Sequence, residues 1–209
     1  MALDIRILRL CLVTDRGLAR GRPRADLVEA AARGGVTLVQ LREKTATTRA
    51  FVEEARALKR RLAGLGIGLI INDRLDVALA VDADGLHVGQ SDMRVEDVRR
   101  LLGPDKIVGL SITDAAGIGR PDATAADYLG IGPVYPQQTK EDAAPSLGVD
   151  GFGRLRALTR KPVVAIGGLK PDNCRPLLAA GADGLAVVSA LVAADDPEAV
   201  ARRFRRLFD

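Results

Sequence analysis

Two aspartates and three cations carry the chemistry that this chain presents. Asp73, in Asn72-Asp73-Arg74, and Asp92, in Gln90-Ser91-Asp92, each stand just beyond a short apolar run. Two such carboxylates suit one hard cation, and magnesium commonly takes one or two of them together with substrate phosphate oxygens and water. Asp73 alone equally suits the N-cap of the helix that would follow it. Arg42 and Lys44 alternate with Leu41 and Glu43, so in an extended segment both point to one side. Arginine offers phosphate a planar fork of donors, and lysine a mobile point charge. Lys140 lies in the long connection 132–148, of a length that commonly serves as a lid or binding loop.

A second anion site is suggested by glycine. Gly167-Gly168 closes one apolar run and Ser189 closes the next. Glycine lets backbone N–H groups approach an anion closely. The residues thus serve two anionic groups. Arg42, Lys44, Lys140 and a magnesium on Asp73 and Asp92 suit a diphosphate; backbone around Gly168 and Ser189 suits a monophosphate. Transfer between two phosphorylated substrates is the chemistry implied. The single histidine, His87, has no partner for a zinc site and reads as a hydrogen-bonded interior residue. No Ser-His-Asp set assembles from the spacing. Cys11 and Cys174 stand far apart without a CxxC, which excludes a disulfide framework or zinc ribbon.

These residues need a scaffold that brings strand ends together. Apolar runs at 10–14, 37–41, 68–71, 85–88, 107–111, 128–131, 162–166 and 184–188 predict strands. Helical patterns at 26–33, 49–65, 74–81, 95–102, 173–180 and 197–207 separate them, with a weak, glycine-broken piece at 113–126. Strands that are apolar throughout and spaced by helices predict a parallel sheet covered on its faces. Ala83-Asp84, Ala126-Asp127 and Ala182-Asp183, each before an apolar run, suggest one αβ turn used three times. Eight units without a GxGxxG fingerprint predict a closed (β/α)₈ TIM barrel, one domain over 1–209. In that fold the C-terminal strand ends form the active site, where Arg42, Lys44, Asp73, Asp92, Lys140, Gly167, Gly168 and Ser189 all fall.

Composition narrows the field further. The chain has 209 residues, 47% hydrophobic and 28% charged, enough to bury a core and too apolar for disorder. No run reaches the roughly 18 apolar residues of a membrane span, and no start reads as a signal peptide, so a cytoplasmic protein is expected. Lys+Arg 31 against Asp+Glu 27 leaves a net charge of +4. Basic segments at 16–24 and 202–206 lack the aromatic platforms of a nucleic-acid binder, since aromatics make up 3% and Trp is absent. Solvated helix surface accounts for them.

The motifs Gln40-Leu41-Arg42-Glu43-Lys44, Asn72-Asp73-Arg74, Gly85-Leu86-His87-Val88-Gly89-Gln90 with Asp92, Gly132-Pro133-Val134-Tyr135-Pro136 with Thr139-Lys140, and Ile166-Gly167-Gly168 together resemble the thiamine phosphate synthase family. The resemblance runs in order over nearly the whole chain. It implies a (β/α)₈ barrel that joins hydroxymethylpyrimidine diphosphate to thiazole phosphate with Mg²⁺, releasing diphosphate. It implies that Gln40, Leu41, Arg42, Glu43, Lys44, Asn72, Ser111 and Lys140 hold the pyrimidine diphosphate, with Lys140, Ser111 and Arg42 acting in catalysis. Asp73 and Asp92 would bind magnesium, and Gln137, Gln138, Thr139, Gly168, Val188 and Ser189 would meet the thiazole phosphate. Gln137 departs from the family's usual Thr. The partners implied are the two small phosphorylated substrates, with no nucleic acid and no membrane, and a homo-oligomer is compatible with them. The nearest rival, a related thiazole tautomerase, handles no diphosphate and has no use for Arg42, Lys44, Asp73, Asp92 and Lys140 together.

Overall fold

The computed structural model describes residues 3–137 and 144–209. Eight strands form one closed parallel barrel in sequence order, and β1 pairs with β8 to complete it. They are β1 (Leu10–Val13), β2 (Leu38–Leu41), β3 (Gly68–Asn72), β4 (Gly85–Val88), β5 (Ile107–Ile112), β6 (Tyr128–Ile131), β7 (Val163–Ile166) and β8 (Gly184–Val187). Around them run α1 (Arg24–Arg33), α2 (Thr48–Ala63), α3 (Leu75–Ala80), α4 (Val95–Leu102), α5 (Ala115–Ile118), α6 (Pro121–Ala125), α7 (Gly148–Arg156), α8 (Arg175–Ala179), α9 (Ser189–Val192) and α10 (Pro197–Arg205). Among the described residues no helix is long and apolar enough to cross a membrane.

The helices follow from their patterns. In α2, Phe51, Ala55, Leu58 and Leu62 recur at helical spacing and are all buried against the sheet, and the Thr47 side chain caps the start by accepting from the Ala50 N–H. The segment 113–126 forms two short helices, α5 and α6, because Gly119 and Pro121 interrupt it. Where α1 meets α10, Gly34 lies so close to the Glu198 carbonyl and Ala201 that no side chain would fit.

Two apolar layers result. The larger lies between strands and helices and contains Leu41, Phe51, Ile71, Leu86, Phe152 and Phe204. The smaller fills the barrel interior with Leu8, Cys11, Val13, Leu38, Ile70, Tyr128, Val164 and Ala186. At the N-terminal rim the repeated Ala-Asp turn is present three times in one form. Asp84, Asp127 and Asp183 each accept, through Oδ2, an N–H from the first or second residue of the preceding strand: Leu69 at 2.7 Å, Val108 at 2.8 Å and Val163 at 2.8 Å. Each aspartate's own N–H donates to that residue's carbonyl at 2.8 Å. The carboxylates therefore supply acceptors where the ladder runs out, and the opposite rim is left for function.

Candidate active site

One cavity of about 700 Å³ opens at the C-terminal ends of the strands. Gln40, Arg42, Lys44, Asn72, Asp73, Asp92, Ser111, Gln137, Gly168, Val188 and Ser189 all line it. Gln138, Thr139 and Lys140 lie outside the described residues. Strand alternation explains which side chains of the β2 segment arrive. Gln40, Arg42 and Lys44 face the cavity, while Leu41 is fully buried in the sheet–helix layer.

Leu41 and Glu43, both expected to hold the pyrimidine diphosphate, therefore do not reach the cavity. Glu43 turns outward and is buried. Its Oε2 accepts from Arg16 Nε at 2.6 Å and Arg24 Nη2 at 2.7 Å, and its Oε1 accepts from the N–H groups of Thr45 and Ala46 at 2.8 and 3.1 Å. Arg24 also pairs with Glu54. Burial works to raise the Glu43 carboxyl, but the hydrogen bonds from Thr45, Arg16, Arg24 and Ala46 outweigh it and hold its pKa well below the usual carboxylate range. The segment after β2 that carries Arg42 and Lys44 is thus tied down from behind. Arg42 is held on its own side as well: its N–H donates to Thr14 Oγ1 at 3.0 Å, and Nη1 pairs with Asp15 Oδ2 at 3.1 Å.

The two aspartates stand at the ends of neighbouring strands, β3 and β4. Asp73 adopts a left-handed backbone, φ 60°, a conformation that Asp tolerates better than most residues. Its carboxylate does not cap α3; the N-cap position is Arg74, and Asp73 Oδ2 instead accepts from Lys44 Nζ at 2.6 Å. Asp92 Oδ2 accepts from the Gly89 N–H at 2.8 Å, folding the segment after β4 back over its end. Among the described residues, Oδ1 of each aspartate has no hydrogen-bond partner, and no group of three or more His, Cys, Asp or Glu gathers. Two carboxylates with free oxygens and room for substrate oxygens match the way magnesium is held.

Across the barrel, Gly167 and Gly168 adopt φ of 102° and 65°. Segment 133–136 packs directly on them, with Val134 N–H donating to the Ile166 carbonyl at 2.9 Å and Tyr135 N–H to the Gly167 carbonyl at 3.0 Å. Asn173 Nδ2 holds the Gly168 carbonyl at 3.1 Å, and Tyr135 O–H donates to the Asn173 carbonyl at 2.8 Å.

Beneath the cavity, His87 joins Tyr128 and Ser111. Nδ1 lies 2.8 Å from the Tyr128 hydroxyl and Nε2 lies 2.9 Å from Ser111 Oγ. Burial lowers the His87 pKa to about 4, against a smaller opposing pull from Asp92, so the ring is neutral at pH 7. Sequence reasoning placed His87 inside the barrel without finding its partners. It also missed Val13, Ile166 and Ala186, the apolar walls, and Arg120, which reaches the cavity from the turn between α5 and α6. Arg120 carried a signal, since Gly119 and Pro121 on either side force a turn there.

The match with known proteins is extensive. A family model described as thiamine monophosphate synthase matches residues 10–191. The chain belongs to that family. A thiamine-phosphate synthase of Albidiferax ferrireducens is 52% identical over 211 residues, spanning 100% of this chain and 96% of that protein. Another, from Solidesulfovibrio magneticus, is 55% identical over 201 residues, 94% of this chain and 93% of its own. Among solved structures, a thiamine phosphate pyrophosphorylase from Pyrococcus furiosus superposes with a TM-score of 0.87 at 35% identity, over 97% of this chain and 96% of that one. A 3-hexulose-6-phosphate synthase, at 19% identity and a TM-score of 0.70 over 96% of this chain and 99% of that one, shares the fold alone.

Proposed function

We propose that this enzyme condenses a diphosphooxymethyl aminopyrimidine with a thiazole phosphate, giving thiamine phosphate and diphosphate. One observation carries the reading: a single cavity holds Arg42, Lys44, Asp73 and Asp92 at the ends of β2–β4, and Gln137, Gly168 and Ser189 on the opposite side of the barrel. Two anions of different size can thus be held facing each other. Arg42 and Lys44 neutralise the diphosphate, with Lys140 of the Thr139-Lys140 motif as a third cation. Gln40, Asn72 and Ser111 present amide and hydroxyl groups to the pyrimidine substrate. Magnesium, held by Asp73, Asp92 and substrate oxygens, would supply further neutralisation of the leaving diphosphate.

The C–O bond to diphosphate breaks with its electron pair leaving on oxygen. The pyrimidine-methyl cation that remains is stabilised through the ring by its amino group. The thiazole nitrogen then donates its lone pair to form the C–N bond. This sequence asks the chain for charge neutralisation and positioning, with no covalent nucleophile. Gln138, Thr139, Gln137, Gly168, Val188 and Ser189 would hold the thiazole phosphate, with the longer Gln137 amide donating where the family has a hydroxyl. The setting is that of a cytoplasmic biosynthetic enzyme.

The test is incubation of the purified protein with both substrates and Mg²⁺, with an EDTA control. Metal-dependent formation of thiamine phosphate and diphosphate in equal amounts is expected. Folded protein that makes neither product would overturn the assignment.

A further inference from the structure

We infer that Tyr128 and His87 are positioning residues that fix the Ser111 hydroxyl as a hydrogen-bond donor toward the bound pyrimidine diphosphate, a role resting on the reaction proposed above. The three side chains form a line from the barrel interior to the cavity: Tyr128 O–H to His87 Nδ1 at 2.8 Å, then Nε2 to Ser111 Oγ at 2.9 Å. Tyr128 and His87 are buried, and Ser111, half-buried, lines the cavity.

The direction of the line follows from its inner end. Among the described residues the Tyr128 hydroxyl has no hydrogen-bond partner besides His87 Nδ1. A phenol pointing its proton anywhere else would bury an unsatisfied donor. Tyr128 therefore donates, and Nδ1 accepts. A neutral imidazole that accepts at Nδ1 carries its proton on Nε2. Nε2–H then donates to Ser111 Oγ, and the Ser111 proton is left to point into the cavity. With the opposite polarity, Ser111 would spend its proton on Nε2 and turn lone pairs toward an anion. The same logic removes Ser111 as a nucleophile, because the ring beside it is already a donor at that nitrogen.

The barrel is shaped to hold this line. Gly109 on β5 is the register partner of both His87 and Tyr128, and any side chain there would collide with both rings. Gly130 on β6 comes so near that a Cβ would lie 3.2 Å from His87 Cε1. Two glycines on neighbouring strands thus clear the space the pair occupies.

His87 is the chain's single histidine, so ¹⁵N imidazole labelling gives one pair of ring signals. The free wild-type enzyme is expected to show a protonated Nε2 and a bare Nδ1, and Tyr128→Phe is expected to lose that preference. In steady-state assays Tyr128→Phe should lower kcat/KM for the pyrimidine diphosphate roughly 10-fold, the effect of one misdirected hydrogen bond to a charged group. KM for the thiazole phosphate should not move. In a Ser111→Ala background the same substitution should cost nothing more, whereas simple loosening of the core would cost the same in both backgrounds. A protonated Nδ1 in the wild type, or equal losses in both backgrounds, would overturn the inference. The tautomer needs no variant and no turnover, so it decides the direction of the line even if the wild type made no product, an outcome that would sink the assigned reaction instead.

Discussion

Lys44 Nζ lies 2.6 Å from Asp73 Oδ2, joining the ends of β2 and β3 at the mouth of the cavity. Lys44 is more than half exposed, so the pair contributes little to stability. It is easily given up. The ammonium balances the carboxylate here; in the reaction proposed above, a metal held by Asp73 would free Lys44 for the diphosphate.

If Asp73 and Asp92 hold magnesium as proposed, Asp73→Ala and Asp92→Ala should each lower turnover by on the order of 100-fold or more, since each would remove charge that keeps the metal against the leaving group. Asp73→Ala should also raise the magnesium concentration needed for half-maximal rate. Initial rates across a magnesium titration, with circular dichroism to check the fold, measure both. Wild-type rates in either variant would remove that carboxylate from the site.

Glu43 supports the same subsite without entering it. Replacing it by Gln leaves Arg24, itself nearly inaccessible, short of one partner, and breaking such a buried pair costs about 3 kcal/mol. The loss should extend to binding, because the hydrogen bonds from Thr45 and Ala46 that fix the segment after Lys44 weaken too. Glu43→Gln is expected to lower the urea midpoint and raise KM for the pyrimidine diphosphate severalfold while KM for the thiazole phosphate stays constant. A lowered midpoint with both KM values unchanged would confine Glu43 to stability.

His87 makes stability depend on pH in a defined window. Its pKa falls from 6.5 in the unfolded chain to about 4 in the folded one, so between these values the unfolded state binds more protons. Stability is therefore full above pH 6.5 and declines as pH falls toward 4, by about 3 kcal/mol from this one group. Urea unfolding at pH 7 and pH 4.5 measures the decline. In His87→Gln that part of the slope should vanish, whatever the substitution does to stability at pH 7.

Much of this arrangement was legible before the structure because the barrel's physics is local. Each strand shows as an apolar run, and the three Ala-Asp turns repeat because each must supply an acceptor at a strand's start. The side-by-side placement of Arg42 and Lys44 follows from alternation. The same alternation sends Leu41 and Glu43 outward, yet motif resemblance, which treats neighbours alike, drew them into the site. The helix α7 showed no signal because Gly148, Gly151 and Gly153 dilute its pattern. The His87–Tyr128 contact could not be read from spacing, since it depends on β4, β5 and β6 meeting in one register at Gly109.

Gly168, just beyond β7, lines the cavity on the side proposed to take the thiazole phosphate. Its φ of 65° belongs to the left-handed region, and a Cβ there would lie 2.7 Å from both Tyr135 Cβ and the Pro136 carbonyl oxygen. Gly168→Ala must therefore push segment 133–136 away, and with it Gln137, which follows directly and lines the cavity. Backbone strain and the lost packing should cost roughly 1–3 kcal/mol. The displaced segment and the added methyl both act on the side proposed for the thiazole phosphate, so its KM should rise about 10-fold, the loss of roughly one hydrogen bond to a charged group. The pyrimidine diphosphate is proposed to bind at the far strands, so its KM should change little. Thermal unfolding and steady-state kinetics with each substrate varied in turn separate the two effects. Equal increases in both KM values would show that the glycine shapes the cavity as a whole rather than one of its two anion sites.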